Sequence, residues 1–279
     1  MIEEIQDGKV FLNHGPIQMV IEVFVGRDKN PELGFVIAKY VMSQFNQLEK
    51  YLDVLKRKSS FTYLDNTGLS VLDKMVFAVK QIPDRSINTL GAVAGSFSEI
   101  AVDKAIELGA TRVMVNNGGD IAFKDIDGES ITVGIPIALG INKTMFSVTI
   151  SQDQEIGGIC TSGLGGRSFT KGIATAAVVM ANSASIADAC ATYIGNKTIV
   201  EDNNIISCYA EEIDSETDIY GEIVTLKAGN VSEFNKKIAL ENGAKATYKL
   251  LEDSIIKAGL ISVDDYIITI PKGLEYKRM

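Results

Sequence analysis

The chain reads as an α+β fold, and three observations predict it. Strand-like segments outnumber the helices that could serve as crossovers, which disfavours a doubly wound parallel sheet. Apolar strands flank "NHGP" and "NNGGD", and the second supplies the glycines that a primed hairpin turn needs. The composition, 46% hydrophobic and 23% charged, is that of a globular protein with a sizeable core.

Each element follows from its local pattern. Residues 9–25 alternate apolar and polar positions around "NHGP", as a hairpin does. From Pro31 to about Lys58, Leu33, Val36, Ile37, Tyr40, Val41, Phe45, Leu48, Leu52 and Leu55 recur at helical spacing. Pro31 suits the first turn of that helix and "KRK" the last. A second helix is expected over 69–82. "NTLGAVAG" reads as a strand running into a glycine turn, and "SFSEIAVDKAIELG" as a helix that begins near Ser96 and closes at Gly109. "TRVMVNN" and "IAFKDI" are strands, and "ESITVGIPIA" and "MFSVTIS" are expected to continue their sheet. "GIATAAVVMA" is a strand entering a helix at "SASIADACAT". Short strands, an amphipathic helix around 232–259 and a last strand, "YIITIP", complete the chain. The length suits one large domain or two intimately packed halves.

Charge narrows the function classes. Lys and Arg number 27 against 36 Asp and Glu, a net charge of −9, so the chain lacks the basic footprint for nucleic acid or an anionic membrane surface. "MIEEIQDGKVF" has glutamates where a signal peptide needs positive charge. In the least polar stretch, Asn182, Ser183, Ser185 and Asp188 interrupt what would otherwise resemble a membrane span. Cys160, Cys190 and Cys208 show neither disulfide nor zinc spacing. A cytoplasmic protein is the expectation.

Three segments could carry chemistry. In "LGAVAGSFSE", Gly91 and Gly95 let backbone approach a ligand, and a helix start near Ser96 would offer N–H groups to phosphate; Ser96 and Glu99 also fit a plain capping box. In "VMVNNGGDIAF", Asn116, Asn117 and Asp120 could hydrogen-bond the edge of a ring above Gly118 and Gly119, or the segment is simply a hairpin turn. In "SASIADACAT", Asp188 and Thr192 share a helical face and form an oxygen-only pair suited to Mg²⁺. The alternative there is a helix capped by Ser185, with Thr192 packing its methyl. Cys160 is the one candidate nucleophile, with a small buried residue as the alternative.

Taken together, "GAVAGSFSEIAVD", "VNNGGDI", "TSGLGGRSF" and "SASIADACAT" resemble, in that order, the ApbE-like superfamily, whose named members are magnesium-dependent FAD:protein FMN transferases. The likeness spans about residues 88–195. It implies a single T-fold-like domain over 1–279, with mixed, mainly antiparallel sheets and packed helices. By position it implies Asp188, Thr192 and the Ala94 carbonyl as Mg²⁺ ligands. It places Gly91, Ala92, Gly95 and Ser96 beside a pyrophosphate, and Asn117, Gly118, Gly119 and Asp120 beside a flavin ring. Ser162, Gly163 and Arg167 come from the serine–glycine element, and Arg167 or Lys171 offers positive charge. FAD or FMN is the implied cofactor.

The chain departs from the family pattern at two places. Gly95 stands where the family has lysine. The H-I-x-D-P-x-x-G segment is missing, and His14 is the only histidine, expected in a solvated turn. The closer match is thus a short prokaryotic branch, for which the resemblance implies a link to sulfur metabolism. The expected function is Mg²⁺-assisted binding of a flavin or other nucleotide-like phosphate. Alternatives are flavin transfer with a substitute base and a non-catalytic scaffold or partner protein. Edge strands make a homo-oligomer an expectation too.

Overall fold

The computed structural model describes every residue of the chain except 58, 59, 63, 65, 140, 141, 165, 167, 273–276 and 279. Strands β1 (Ile2–Ile5), β2 (Lys9–His14), β3 (Ile17–Val25) and β4 (Asp28–Lys29) precede α1 (Pro31–Leu48), α2 (Leu52–Leu55) and α3 (Ser70–Lys80). Helix α4 (Val93–Glu107) leads into β5 (Arg112–Asn117), β6 (Asp120–Asp125), β7 (Ile131–Leu139), β8 (Asn142–Ile150) and β9 (Gly158–Ser162). Strand β10 (Ala176–Ala181) enters α5 (Ala184–Lys197). Then come β11 (Ile205–Tyr209), α6 (Ala210–Ile213), β12 (Ile223–Ala228), α7 (Glu233–Glu252), β13 (Ala258–Val263), β14 (Tyr266–Ile270) and β15 (Lys277–Arg278).

The expected α+β class holds. A large sheet runs β1-β2-β3-β5-β6-β9-β10-β13-β14, with β4 on β3, and its pairings among the described residues are antiparallel. One face carries the helices. Alternating positions of β3, such as Met19, Ile21 and Val23, pack there with Ile37 and Val41 of α1, Met75 of α3 and Phe97 of α4. Strands β7 and β8 do not continue this sheet, contrary to the sequence reading. They pair with each other and with β15 in a separate sheet. Val133, Phe146 and Val148 close a second core over Phe123, Ile159, Val178 and Leu260 on the opposite face. The reason is burial on both faces: β10 is buried at every position, so its second face also needs an apolar cover.

Helix α1 starts as the sequence predicts, with Pro31 in its first turn and Asn30 accepting from Leu33 N at 2.9 Å. It ends at Leu48 and continues only as a 3₁₀ turn and α2; Lys58, the expected end, lies outside the described residues. No helix among the described residues is long and apolar enough to cross a membrane.

Helix α5 is the central helix, buried at every position from Ala184 to Ala191. Its C-terminus is held by Thr198, whose hydroxyl donates to Gly195 O at 2.7 Å and accepts from the N–H groups of Ile173 (3.0 Å) and Ala174 (2.9 Å). Thr198 is fully buried, so no water can replace those bonds. Thr198→Val keeps the shape and strands both N–H donors, and it should lower stability by about 2 kcal/mol. An unchanged urea midpoint would refute that role.

Candidate functional site

The site forms where α4 and α5 cross beside the β5–β6 turn. "NTLGAVAG" is not a strand: Thr89–Ala92 is a 3₁₀ turn, capped by Asn88 Oδ1 accepting from Gly91 N at 3.2 Å, and α4 begins at Val93. Small residues there serve a helix crossing. An alanine Cβ at position 95 would lie 2.3 Å from Ala184 O and 2.7 Å from Asp188 Cβ. Close contacts of Gly91 with Thr192, of Gly95 with Ala184 and Asp188, and of Glu99 with Ser183 and Ser185 run the two helices antiparallel.

Each helix caps the other. The start of α4 has no side-chain cap of its own, and Asp188 Oδ2 of α5 accepts from Gly95 N at 2.8 Å. In return, Glu99 Oε2 accepts from Ser185 N at 2.9 Å and from Ser183 Oγ at 2.5 Å. The N-cap of α5 is therefore Ser183, not Ser185. Ser96 is no helix start: it is buried, and its hydroxyl donates to Ala92 O at 2.6 Å. Burial alone would raise the Glu99 carboxyl, yet Lys74 (2.6 Å) with Ser183 and Ser185 holds it below its ordinary value. Sequence reasoning missed this role of Glu99, because its partners lie 84 and 86 residues away.

The hairpin turn closes the other side. Gly118 and Gly119 take φ of +68° and +112°, as a primed turn needs, and Asn116 Oδ1 accepts from Gly119 N at 2.9 Å. Asn117 is buried and bridges β3 to α4: it accepts from Gln18 N at 3.3 Å and donates to Ala94 O at 3.4 Å. Asp120 Oδ1 accepts from Thr161 N at 3.2 Å, and its carbonyl accepts from Ser98 Oγ at 2.8 Å.

A buried carboxyl, Asp188, and a half-buried one, Asp120, set the electrostatics. Burial first, and then the charge of Asp120, push the Asp188 carboxyl well above its ordinary value, against the N–H groups of Gly95 and Ala94. The Cys160 thiol is pushed up by burial and by Asp120 and Asp188, and it donates to Ala184 O at 3.2 Å. Cys160 is fully buried in the main core, the surroundings expected of the alternative reading as a small buried residue.

Of the other expected residues, Thr192 lies one helical turn along α5 from Asp188. Ser162 faces Gly195, two turns along α5 from Asp188, and Gly163 (φ +128°) lies against the backbone of residues 174–176. Thr192 is half-buried, its methyl near Gly91. At the expected phosphate seat, the Gly91 N–H donates to Asn88 Oδ1 and the Gly95 N–H to Asp188 Oδ2. Lys171 pairs with Glu222 at 2.6 Å. Arg167 lies outside the described residues.

A family model described as AbpE bacteria matches residues 2–269. The chain belongs to the AbpE bacterial family. It is 31% identical over 225 residues to a UPF0280 protein of Methanococcus vannielii, a match covering 76% of this chain and 87% of that one. It is 35% identical over 139 residues to a UPF0280 protein of Methanococcoides burtonii, spanning 50% of this chain and 57%, less than two thirds, of the relative. Among solved structures it is similar to the apo flavinyl transferase ApbE of Pseudomonas stutzeri, with 11% identity, TM-score 0.47, and 96% and 93% of the two chains covered. It is similar also to the flavin transferase ApbE of Vibrio cholerae, with 12% identity, TM-score 0.47, and 100% and 97% covered.

The donor set of this AbpE-family chain fits a hard cation. The buried Asp188 carboxyl and the Ala94 carbonyl are oxygen donors, and the half-buried Asp120 lies close enough to Asp188 to raise its carboxyl. No group of three or more His, Cys, Asp or Glu is placed to hold a metal among the described residues, so carbonyl and hydroxyl oxygens would complete the shell.

Proposed function

We propose that this protein binds a nucleotide-like phosphate ligand, a flavin first among those to test, together with Mg²⁺. The ion is held by Asp188, with the Ala94 carbonyl and the Thr192 hydroxyl. The observation that carries the reading is the meeting of the buried Asp188 carboxyl with the start of α4, beside the half-buried Asp120. The order of motifs that resembles the ApbE-like superfamily supports the ligand class.

When bound, Mg²⁺ neutralises charge on a pyrophosphate. The chain's own residues hold and orient: Asn117 fixes the Ala94 carbonyl, Gly118 and Gly119 leave a flat surface at the turn, and Glu99 fixes the first turn of α5 that carries Asp188. The reading is of binding rather than flavin transfer. His14 sits edge-on to Phe45 with its Nε2 3.3 Å from Asn46 Oδ1, where it serves no transfer step. A cytoplasmic setting is part of the same proposal, in keeping with three cysteines that are free.

The test is thermal unfolding with FAD, FMN, ADP and ATP, each with and without Mg²⁺. A ligand at a hundred times its Kd adds about 2.7 kcal/mol. One nucleotide should stabilise the protein only with Mg²⁺, and Asp188→Ala should remove that gain. A shift that survives Asp188→Ala, or needs no Mg²⁺, would sink the metal assignment. The competing reading, in which Asp188 serves only to cap α4, rests on its bond to Gly95 N and expects no ligand-dependent shift at all.

A further inference from the structure

The segment between α6 and β12 is tied down on both sides. On one side, Asn88 Nδ2 donates to Asp218 O at 3.1 Å and Lys56 Nζ to Glu216 O at 3.3 Å. Asn88 is the same residue that caps the Gly91 turn, and Gly91 faces the Thr192 methyl. On the other side, Lys171 Nζ meets Glu222 Oε2 at 2.6 Å, and Thr225 N donates to Thr170 O at 2.8 Å. Thr170 and Lys171 are in turn fixed to α5, both bonding Asn196 Oδ1. Thr192, Gly195 and Asn196 stand at i, i+3 and i+4, one face of the helix. The segment from Asp218 to Thr225 therefore spans that face, from the Gly91 turn to Lys171.

Its own charge is one-sided. Between Lys197 and Lys227 the chain carries eight Asp or Glu and no Lys or Arg, and the cations that meet the segment, Lys56 and Lys171, come from outside it. Glu222 is mostly buried, its side chain 15% exposed, and it holds that cation directly. We propose that residues 214–225 form a strap over the Thr192–Asn196 face of α5, and that Glu222 occupies at Lys171 the place of the ligand's anionic group. Binding exchanges one carboxylate–ammonium pair for a phosphate–ammonium pair and frees the Lys171 end of the strap. The inference rests on the nucleotide-phosphate reading above and adds a control to the same site.

Calorimetric titration with ADP and Mg²⁺ tests it on the wild-type protein, Glu222→Gln, Lys171→Met and Lys171→Arg. Hydrogen exchange over 218–225 is followed in parallel. Glu222→Gln should bind about tenfold tighter than wild type, a gain of about 1.4 kcal/mol. Lys171→Met should bind about tenfold weaker, and Lys171→Arg should restore affinity, which separates loss of charge from loss of fold. Exchange over 218–225 should speed up when the wild type is saturated. Equal affinities of wild type and Glu222→Gln, or a ligand that slows exchange there, would overturn the strap while leaving the binding function standing. Binding by Glu222→Gln alone supports the strap, and absence of ADP binding in both removes the strap, with the binding function judged by the FAD and FMN arms of the unfolding test.

Discussion

Gly95→Ala lowers the stability of the protein by about 3 kcal/mol. In an exposed helix the same change would gain about 1 kcal/mol, so the loss has to come from the crossing with α5. The new Cβ would lie 2.3 Å from Ala184 O, 2.9 Å from Ala184 C and 2.7 Å from Asp188 Cβ. None of these is the loose end of a side chain. Relief requires α4 and α5 to separate, which breaks the Gly95–Asp188 bond and opens a gap along the buried first half of α5. Gly195→Ala is the matched control, since its nearest neighbour, Ser162 Oγ, lies at an ordinary 3.6 Å; that variant should be neutral or slightly stabilised. The two are compared by chemical denaturation. Equal midpoints would show that the crossing is not the tight contact described, and restoration of Gly95→Ala by a second change at Asp188 alone would place the strain on the wrong neighbour.

Glu99→Ala should cost about 3 kcal/mol at neutral pH, because one carboxylate closes the first turn of α5 and pairs with Lys74 in a mostly buried setting. The loss leaves Ser185 N without its partner and Lys74 with Asp103 alone, at 2.8 Å. The pH dependence separates this from a packing loss. The Glu99 carboxyl is held below its ordinary value of 4.5 in the folded state. Its contribution is therefore complete above that value and lost as pH falls through the lower, folded one. The stability gap between wild type and Glu99→Gln should begin to narrow as pH falls below about 4.5 and close below the lower, folded value, where both side chains are neutral. A gap that stays constant down to the acid transition would mean that the ion pair contributes nothing and that only side-chain shape matters.

Much of this fold is legible in local pattern. "NNGGD" specifies its hairpin because only glycine takes positive φ at two successive turn positions without strain. Helix α1 is legible because Asn30, Pro31 and the apolar spacing agree. Other segments read wrongly for equally physical reasons. "GAVAG" alternates small residues much as a strand does, yet the size of those residues answers to a neighbouring helix, and nothing in a five-residue window shows that neighbour. The apolar alternation of β7 and β8 shows that each has a buried face; it does not show which sheet that face lies against.

The candidate site divides in the same way. From sequence alone come the residue types and their order: a carboxylate and a hydroxyl one turn apart on α5, a two-glycine turn, a small-residue start to α4. Those follow from local spacing, which fixes which side chains share a face. Tertiary structure alone decided how they are used. It set Asp188 on Gly95 N across 93 residues, turned Glu99 from its own helix to the start of α5, and tied Lys171 to Glu222 across 51. Hydrogen bonds and charge pairs of that kind depend on which chain segments burial brings together, and that is a property of the whole core rather than of any stretch within it.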